Sequence, residues 1–340
     1  MLRIIATFMV LFLHILDQGG LLEVLPRYSL PYMLMWSIEV VCYCAVNCYG
    51  LISGYVGVHS RFSYSNILRT WLQVAFYTVG ATLVLHCVMP DVVSKDLIKG
   101  AFFPVLTNKY WYYTAYFGMS FFIPAMNHLL KTFPKKQMTA LLFCGAVLFS
   151  VIPTLTRTDL FHLKNGYCLL WLMYLYLIGG YLSLYSGELN ISPFVCASGF
   201  LGSSAFTALH FFYPKYFGFL GSVYFLRYTS PTILLCGITL LVGLSQCKIR
   251  GIVRKVVGFV APLSFGVYLL HAQGTVYSVF MKNKFAPLGE LDSLSMLLRV
   301  AAVALFWFCF GILIDWIRQK VFQILKINSM CKRLTRFLDA

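Results

Sequence analysis

The sequence predicts an all-α polytopic membrane protein with about ten transmembrane helices and both termini in the cytoplasm. Three observations carry that prediction. Of 340 residues, 60% are hydrophobic and only 11% are charged, whereas an average soluble domain is about 25% charged. Apolar stretches long enough to cross a hydrocarbon core of ~30 Å recur along the chain. Basic residues cluster between those stretches, so the net charge of +16 speaks of membrane orientation and not of nucleic acid.

The spans are read at about 3–20, 32–57, 67–89, 110–130, 137–155, 166–185, 193–212, 229–246, 256–281 and 294–317. The first is an apolar run, Leu2 to Leu16, whose only titratable residues are Arg3 and His14. No small-residue cleavage site follows it, so it reads as a retained helix and not a signal peptide. The second carries Gly50 and Gly54, a spacing that lets helix backbones approach closely. Arg61 and Arg69 introduce the third, and the aromatic cluster Tyr110-Trp111-Tyr112-Tyr113 opens the fourth. The fifth to eighth are plain apolar runs. The ninth contains Ser264-Phe265-Gly266-Val267-Tyr268-Leu269-Leu270-His271, and the tenth ends near Asp315 and Arg318, three apart and read as a structural ion pair. Residues 1–320 form one membrane domain. Residues 321–340 form a basic cytoplasmic tail, with Phe322, Ile324, Leu325 and Ile327 as its apolar part.

Orientation follows from lysine and arginine. With the N-terminus inside, sixteen of the 27 basic residues fall on the cytoplasmic side, including the two densest clusters, Lys248 to Lys255 and the tail. The outer side then takes seven of the eleven acids. Its connections lie at about 90–109, 156–165, 213–228 and 282–293, with a short surface helix expected within Asp91 to Phe103. Tyr213, Tyr216, Phe225 and Tyr228 read as part of an interfacial aromatic belt. The eleven cysteines include no CxxC pair. Cys44 and Cys48 share a helix face and read as packing, so neither a metal site nor a disulfide framework is expected.

Ionisable groups inside a bilayer are expensive and point to function. Arg3 and His14 are eleven residues apart, about three helical turns, so they share one face roughly 16 Å apart along the axis. Asp17 follows three residues later on the His14 face, and Glu39 lies at a similar depth in the second span. Either carboxylate could fix the imidazole tautomer and raise its basicity, and the partner of His14 stays open between Asp17, Glu39 and neither. Arg69 joins Arg3 as a candidate phosphate-binding group on the inner face, while Arg61 reads as a simple interface anchor. Tyr268 and His271 are three apart on one helix face and can hydrogen-bond within the membrane.

Four of these features together resemble the acyltransferase-3 family, integral-membrane O-acyltransferases that modify bacterial cell-surface glycans. They are Arg3-x10-His14; Gly50-Leu51-Ile52-Ser53-Gly54-Tyr55; Trp111-Tyr112-Tyr113 with Tyr116 and Gly118; and Phe265-Gly266-Val267-Tyr268-Leu269-Leu270-His271. They occur in the family's order across nearly the whole chain. The resemblance implies acyl-CoA, usually acetyl-CoA, as a cytoplasmic donor, with Arg3 and Arg69 near its phosphates. It implies His14 as the catalytic histidine; Asp17 and Glu39 stay its candidate carboxylate partners on their spacing and depth alone. Trp111, Tyr116, Tyr268 and His271 are then candidates for binding the acceptor, an extracytoplasmic glycan or lipid-linked saccharide. The chain departs from the family where many members carry Arg-x2-Arg: Asn66 stands three residues before Arg69. The implied setting is a multi-pass protein of the cell membrane. Residue chemistry alone leaves a rival reading, a secondary transporter or flippase for a polar or lipid-linked sugar, in which His14, Glu39 and His271 serve proton coupling. A non-catalytic membrane scaffold is the third.

Overall fold

The computed structural model describes residues 1–189 and 191–338, and every regular element among them is helical. The first helix, α1 (Leu2–Leu13), runs into a single wide π-helical turn at His14–Gln18. The second expected span is a nearly continuous pair, α2 (Leu30–Cys42) and α3 (Ala45–Gly57), interrupted at Tyr43 and Cys44. After α4 (Tyr64–Val88) comes the short surface helix Lys95–Ala101, inside the stretch expected for it. The fourth expected span is broken into α5 (Trp111–Ser120) and α6 (Ile123–Thr132). Pro124 explains the break, since it lacks an N–H and belongs in the first turn of a new helix.

The chain continues through α7 (Lys135–Ala146), α8 (Leu169–Leu184), α9 (Pro193–Phe212) and α10 (Pro231–Ser245). The ninth expected span is bent by 43° between α11 (Gly251–Val260) and α12 (Ser264–His271). The last long helix, α13 (Ser293–Ile324), overruns its expected end by seven residues and is followed by α14 (Ile327–Leu334). That terminal helix packs back onto α4, with Cys331 buried at the contact. Asp339 and Ala340, the end of the expected tail, lie outside the described residues.

Five helical runs are long and apolar enough to cross a membrane: Leu30–Gly57, Tyr64–Val88, Lys135–Thr156, Pro193–Phe212 and Ser293–Ile324. The bent α11–α12 pair makes a sixth if taken as one span, while α8 and α10 are apolar but shorter. Leu83, Phe143, Leu201, Phe306 and Leu313 stand exposed on these helices. An apolar exterior of that kind fits a membrane-embedded protein.

Two packed cores meet along α1. Ala6, Met9, Val10 and Leu13 belong to the core built on α3, α8 and α10, whereas Leu11, Ile15 and Leu16 belong to the one built on α4, α12 and α13. A helix apolar all round is a buried helix, and α1 is the seam of the molecule. In the first core, α3 and α8 cross closely. A Cβ at Gly54 would collide with the Tyr176 carbonyl, and one at Gly179 with the Leu51 carbonyl. The Gly50/Gly54 spacing therefore does what it suggests in the sequence.

In the second core, the expected Asp315–Arg318 ion pair forms and is buried. Arg318 donates from Nε and a terminal nitrogen to the two Asp315 oxygens, each at 2.8 Å. Tyr77 and Gln73 of α4 donate to Asp315 Oδ1 at 2.9 and 3.0 Å. The carboxylate thus ties α13 to α4. Removing one partner of such a pair strands the other charge, at a cost of roughly 3–5 kcal/mol. Asp315→Ala should lower stability by about that amount, read as a lower unfolding midpoint of the purified protein in detergent.

Candidate active site

Three cavities line the seam around α1. The first, about 430 Å³, is walled by Arg3, Arg61, Asn66, Arg69, Tyr113 and Tyr116, among others. The second, about 180 Å³, shares Arg3, Ser53, Thr70 and Tyr116 with the first, and Tyr49, Tyr112 and Phe265 with the third. The third, about 100 Å³, contains His14, Asp17, Glu39, Trp111 and Tyr268. One helix therefore presents Arg3 at one end of a series of adjoining cavities and, where it runs into the π turn, His14 at the other. Its register is held by Thr7, whose hydroxyl bonds to Tyr49 at 2.6 Å, linking α1 to α3.

The partner of His14 is neither carboxylate. His14 Nδ1 lies 3.0 Å from Nε2 of His271, whose side chain is 0% exposed. His271 Nδ1 lies 2.6 Å from the Val267 carbonyl oxygen. A carbonyl only accepts, so in the neutral pair His271 carries its proton on Nδ1 and offers an Nε2 lone pair. His14 must then donate from Nδ1, which leaves its Nε2 bare. The backbone supports this alignment. Gln18 and Gly19 carbonyls, at the end of the π turn, accept from Asn283 and Phe285 N–H groups at 3.1 and 2.9 Å. That clamp joins the end of the His14 turn to the segment following His271. π turns are rare and recur at functional sites.

Several expected residues gather here and others move. Asp17 is exposed and Glu39 is 3% exposed, and both line the His14 cavity without bonding to the imidazole. Trp111 and Tyr268 line it too. Tyr116 does not: it lines the first two cavities, together with Arg3 in both and with Arg69 in the first. His271 lies behind His14, clear of the cavity wall, so its place is support and not contact with an acceptor. Arg69 joins Arg3 as expected, and Arg61, read as an anchor, lines the same cavity.

The expected aromatic belt also divides. Tyr216 is exposed, but Phe225, Leu226 and Tyr228 are buried, and Tyr228 closes the His14 cavity. Asn47 holds it there, donating to the Tyr228 carbonyl at 2.8 Å while accepting from Trp171 Nε1 at 3.0 Å. Tyr43, Tyr167 and Tyr228 extend the Trp111 wall, with Trp111 and Tyr167 ring centres 4.4 Å apart. Sequence reasoning singles out neither Tyr43 nor Tyr167, since tyrosine recurs 22 times in the chain.

The proton order of the histidine pair is open to direct measurement. Solid-state NMR with ¹⁵N-labelled histidine should show neutral His14 protonated on Nδ1. His271→Ala should move His14 toward the Nε2–H form that a free imidazole side chain prefers. An unchanged tautomer would refute the arrangement.

The sequence profile described as an acyltransferase domain, that of the acyltransferase-3 family, matches residues 1–316. Neither the curated proteins nor the solved structures contain a match to the chain. The profile spans both ends of the cavity series, from Arg3 and His14 through His271 to Asp315, and the long apolar helices fit a membrane-embedded enzyme. The chain belongs to the acyltransferase-3 family and is a membrane acyltransferase.

Proposed function

We propose that this protein is a ten-span O-acyltransferase of the cell membrane, with both termini cytoplasmic. It moves an acyl group, acetyl in the simplest case, from cytoplasmic acyl-CoA to a hydroxyl of an extracytoplasmic glycan or lipid-linked saccharide. The single observation that carries this reading is the series of adjoining cavities with Arg3, Arg61 and Arg69 at one end and His14 at the other. Ten spans follow if α1, α5 with α6, α8, α10 and the bent α11–α12 pair each count as one crossing beside the four remaining long helices and α2 with α3.

Three guanidinium groups around one cavity suit a ligand with several phosphates, because each fork can bind a phosphate through two charge-assisted bonds. Arg61 supplies the second cation that Asn66 withholds. A donor anchored there would extend its thin pantetheine arm past Tyr116 and Tyr112, and its thioester would reach His14. The arm's route matches the roughly 16 Å rise between Arg3 and His14.

At the reaction centre, the bare Nε2 of His14 is the base. It takes the acceptor's hydroxyl proton as the oxygen attacks the thioester carbonyl. The new C–O bond forms, the C–S bond breaks, and the imidazolium returns the proton to the departing CoA thiolate. His271 acts as a positioning residue: its Nε2 accepts from His14 Nδ1–H and steadies the positive ring while it carries two protons.

Mass spectrometry of surface glycans from cells with and without the protein tests the reading. A gain of about 42 Da per acceptor unit is the mass of an acetyl group and supports it. His14→Ala at normal abundance should abolish that gain. Full acetylation by this variant would overturn the assignment. His271→Ala should lower kcat by about 100-fold with little change in KM for acyl-CoA, as expected for support of a general base. Arg61→Ala should raise KM for acyl-CoA about 10-fold, the scale of one charge-assisted contact, and should do so less at high salt.

A further inference from the structure

The acceptor end of the cavity series is lined by carboxyl groups where the donor end is lined by guanidinium groups. Among its described lining residues, the His14 cavity holds two carboxylates, Asp17 and Glu39, and no lysine or arginine. The nearby Arg227 is stacked over the Tyr224 ring instead, 5.4 Å from its centre. Glu39 is the more telling of the two acids. It is 3% exposed, and its Oε2 is buried without a hydrogen-bond partner among the described residues. A carboxyl oxygen left so is costly unless a ligand supplies the donor. The wall beside it is aromatic: Trp111, Tyr167, Tyr228 and Tyr43 form a connected series of rings, successive centres 4.4 to 4.9 Å apart.

We infer that this cavity selects its acceptor by charge: the sugar unit whose hydroxyl meets His14 bears no negative group and offers O–H or N–H donors to Glu39. The inference rests on the O-acyl-transfer reading above and names the acceptor class for it. Aromatic faces take the apolar C–H face of a neutral or amine-bearing sugar. Glu39 accepts from a hydroxyl or amine on the sugar's edge. A uronate, sulfate or phosphate on the same unit would meet two carboxyl groups, Asp17 at the exposed rim and Glu39 in the buried wall, an element that rejects the wrong ligand. The same charge pattern keeps a polyphosphate donor at the arginine end while its thioester alone passes inward.

The test uses the full-length protein in nanodiscs, with size-matched neutral, amine-bearing and uronate-bearing oligosaccharides. Initial rates with acetyl-CoA give kcat/KM for each. Quenching of tryptophan fluorescence without acetyl-CoA gives binding, with Trp111 in the cavity wall. The uronate-bearing acceptor should be at least about 10-fold poorer than the neutral one, chiefly through KM, and should bind correspondingly more weakly. Glu39→Gln should narrow that gap by improving use of the uronate. Asp17→Asn, at the exposed rim, should narrow it in part and serves if Glu39→Gln fails to fold. Equal use of all three sugars, or a gap unchanged in both variants, would overturn the inference while leaving acyl transfer standing. Charge-selective binding without transfer to any sugar would overturn the proposed activity and leave the selection in place. Binding and transfer absent for every sugar would overturn both.

Discussion

Confinement of α1 between two cores is the constraint on which the rest of the molecule depends. One face packs on α3, α8 and α10, and the other on α4, α12 and α13. A helix so enclosed cannot rotate or slide without breaking close packing on both sides. The distance between its two ionisable side chains is then a fixed property of the fold. Arg3 and His14 sit at opposite ends of a series of adjoining cavities because α1 runs alongside it. A flexible surface helix with the same residues would hold neither end in place.

Polar groups inside this apolar molecule fall into two kinds. Those that are fully paired hold helices together: Asp315 with Arg318, Tyr77 and Gln73, or Asn47 between Trp171 and the Tyr228 backbone. Of those left with unused bonding capacity, two belong to residues that line the His14 cavity, Nε2 of His14 and Oε2 of Glu39. Burial makes each bond of the first kind strong and each vacancy of the second kind expensive. His271 belongs to both kinds. It is fully occupied itself, and by that occupancy it determines which nitrogen of His14 stays free.

Ionisable side chains are also sorted along the cavities. Arginines gather around the first cavity and carboxyl groups around the one that holds His14. A chain with only 11% charged residues has few to place.

Much of the site was legible in the sequence because it rests on local periodicity. A regular helix puts residues eleven apart on one face, so the shared face of Arg3 and His14 needed no tertiary information. The same holds for the Gly50/Gly54 crossing and for Asp315 with Arg318, three apart on one helix. What the tertiary structure alone decided involves residues far apart in the chain. The partner of His14 is 257 residues away, a distance over which spacing says nothing. Asp17, on the same helix face, and Glu39, at a similar depth, were the natural candidates, and the packing of α12 against α1 puts His271 there instead. Arg61 and Tyr228 look like interface residues in isolation, since an arginine or tyrosine at a span end has that role by default. Only the tertiary packing buries Tyr228 against the His14 cavity and sets Arg61 beside Arg3 and Arg69 at the first. The number of crossings is obscured for a related reason: hydropathy records that a stretch is apolar, but Pro124, the π turn and the bend before α12 decide whether it remains one rod.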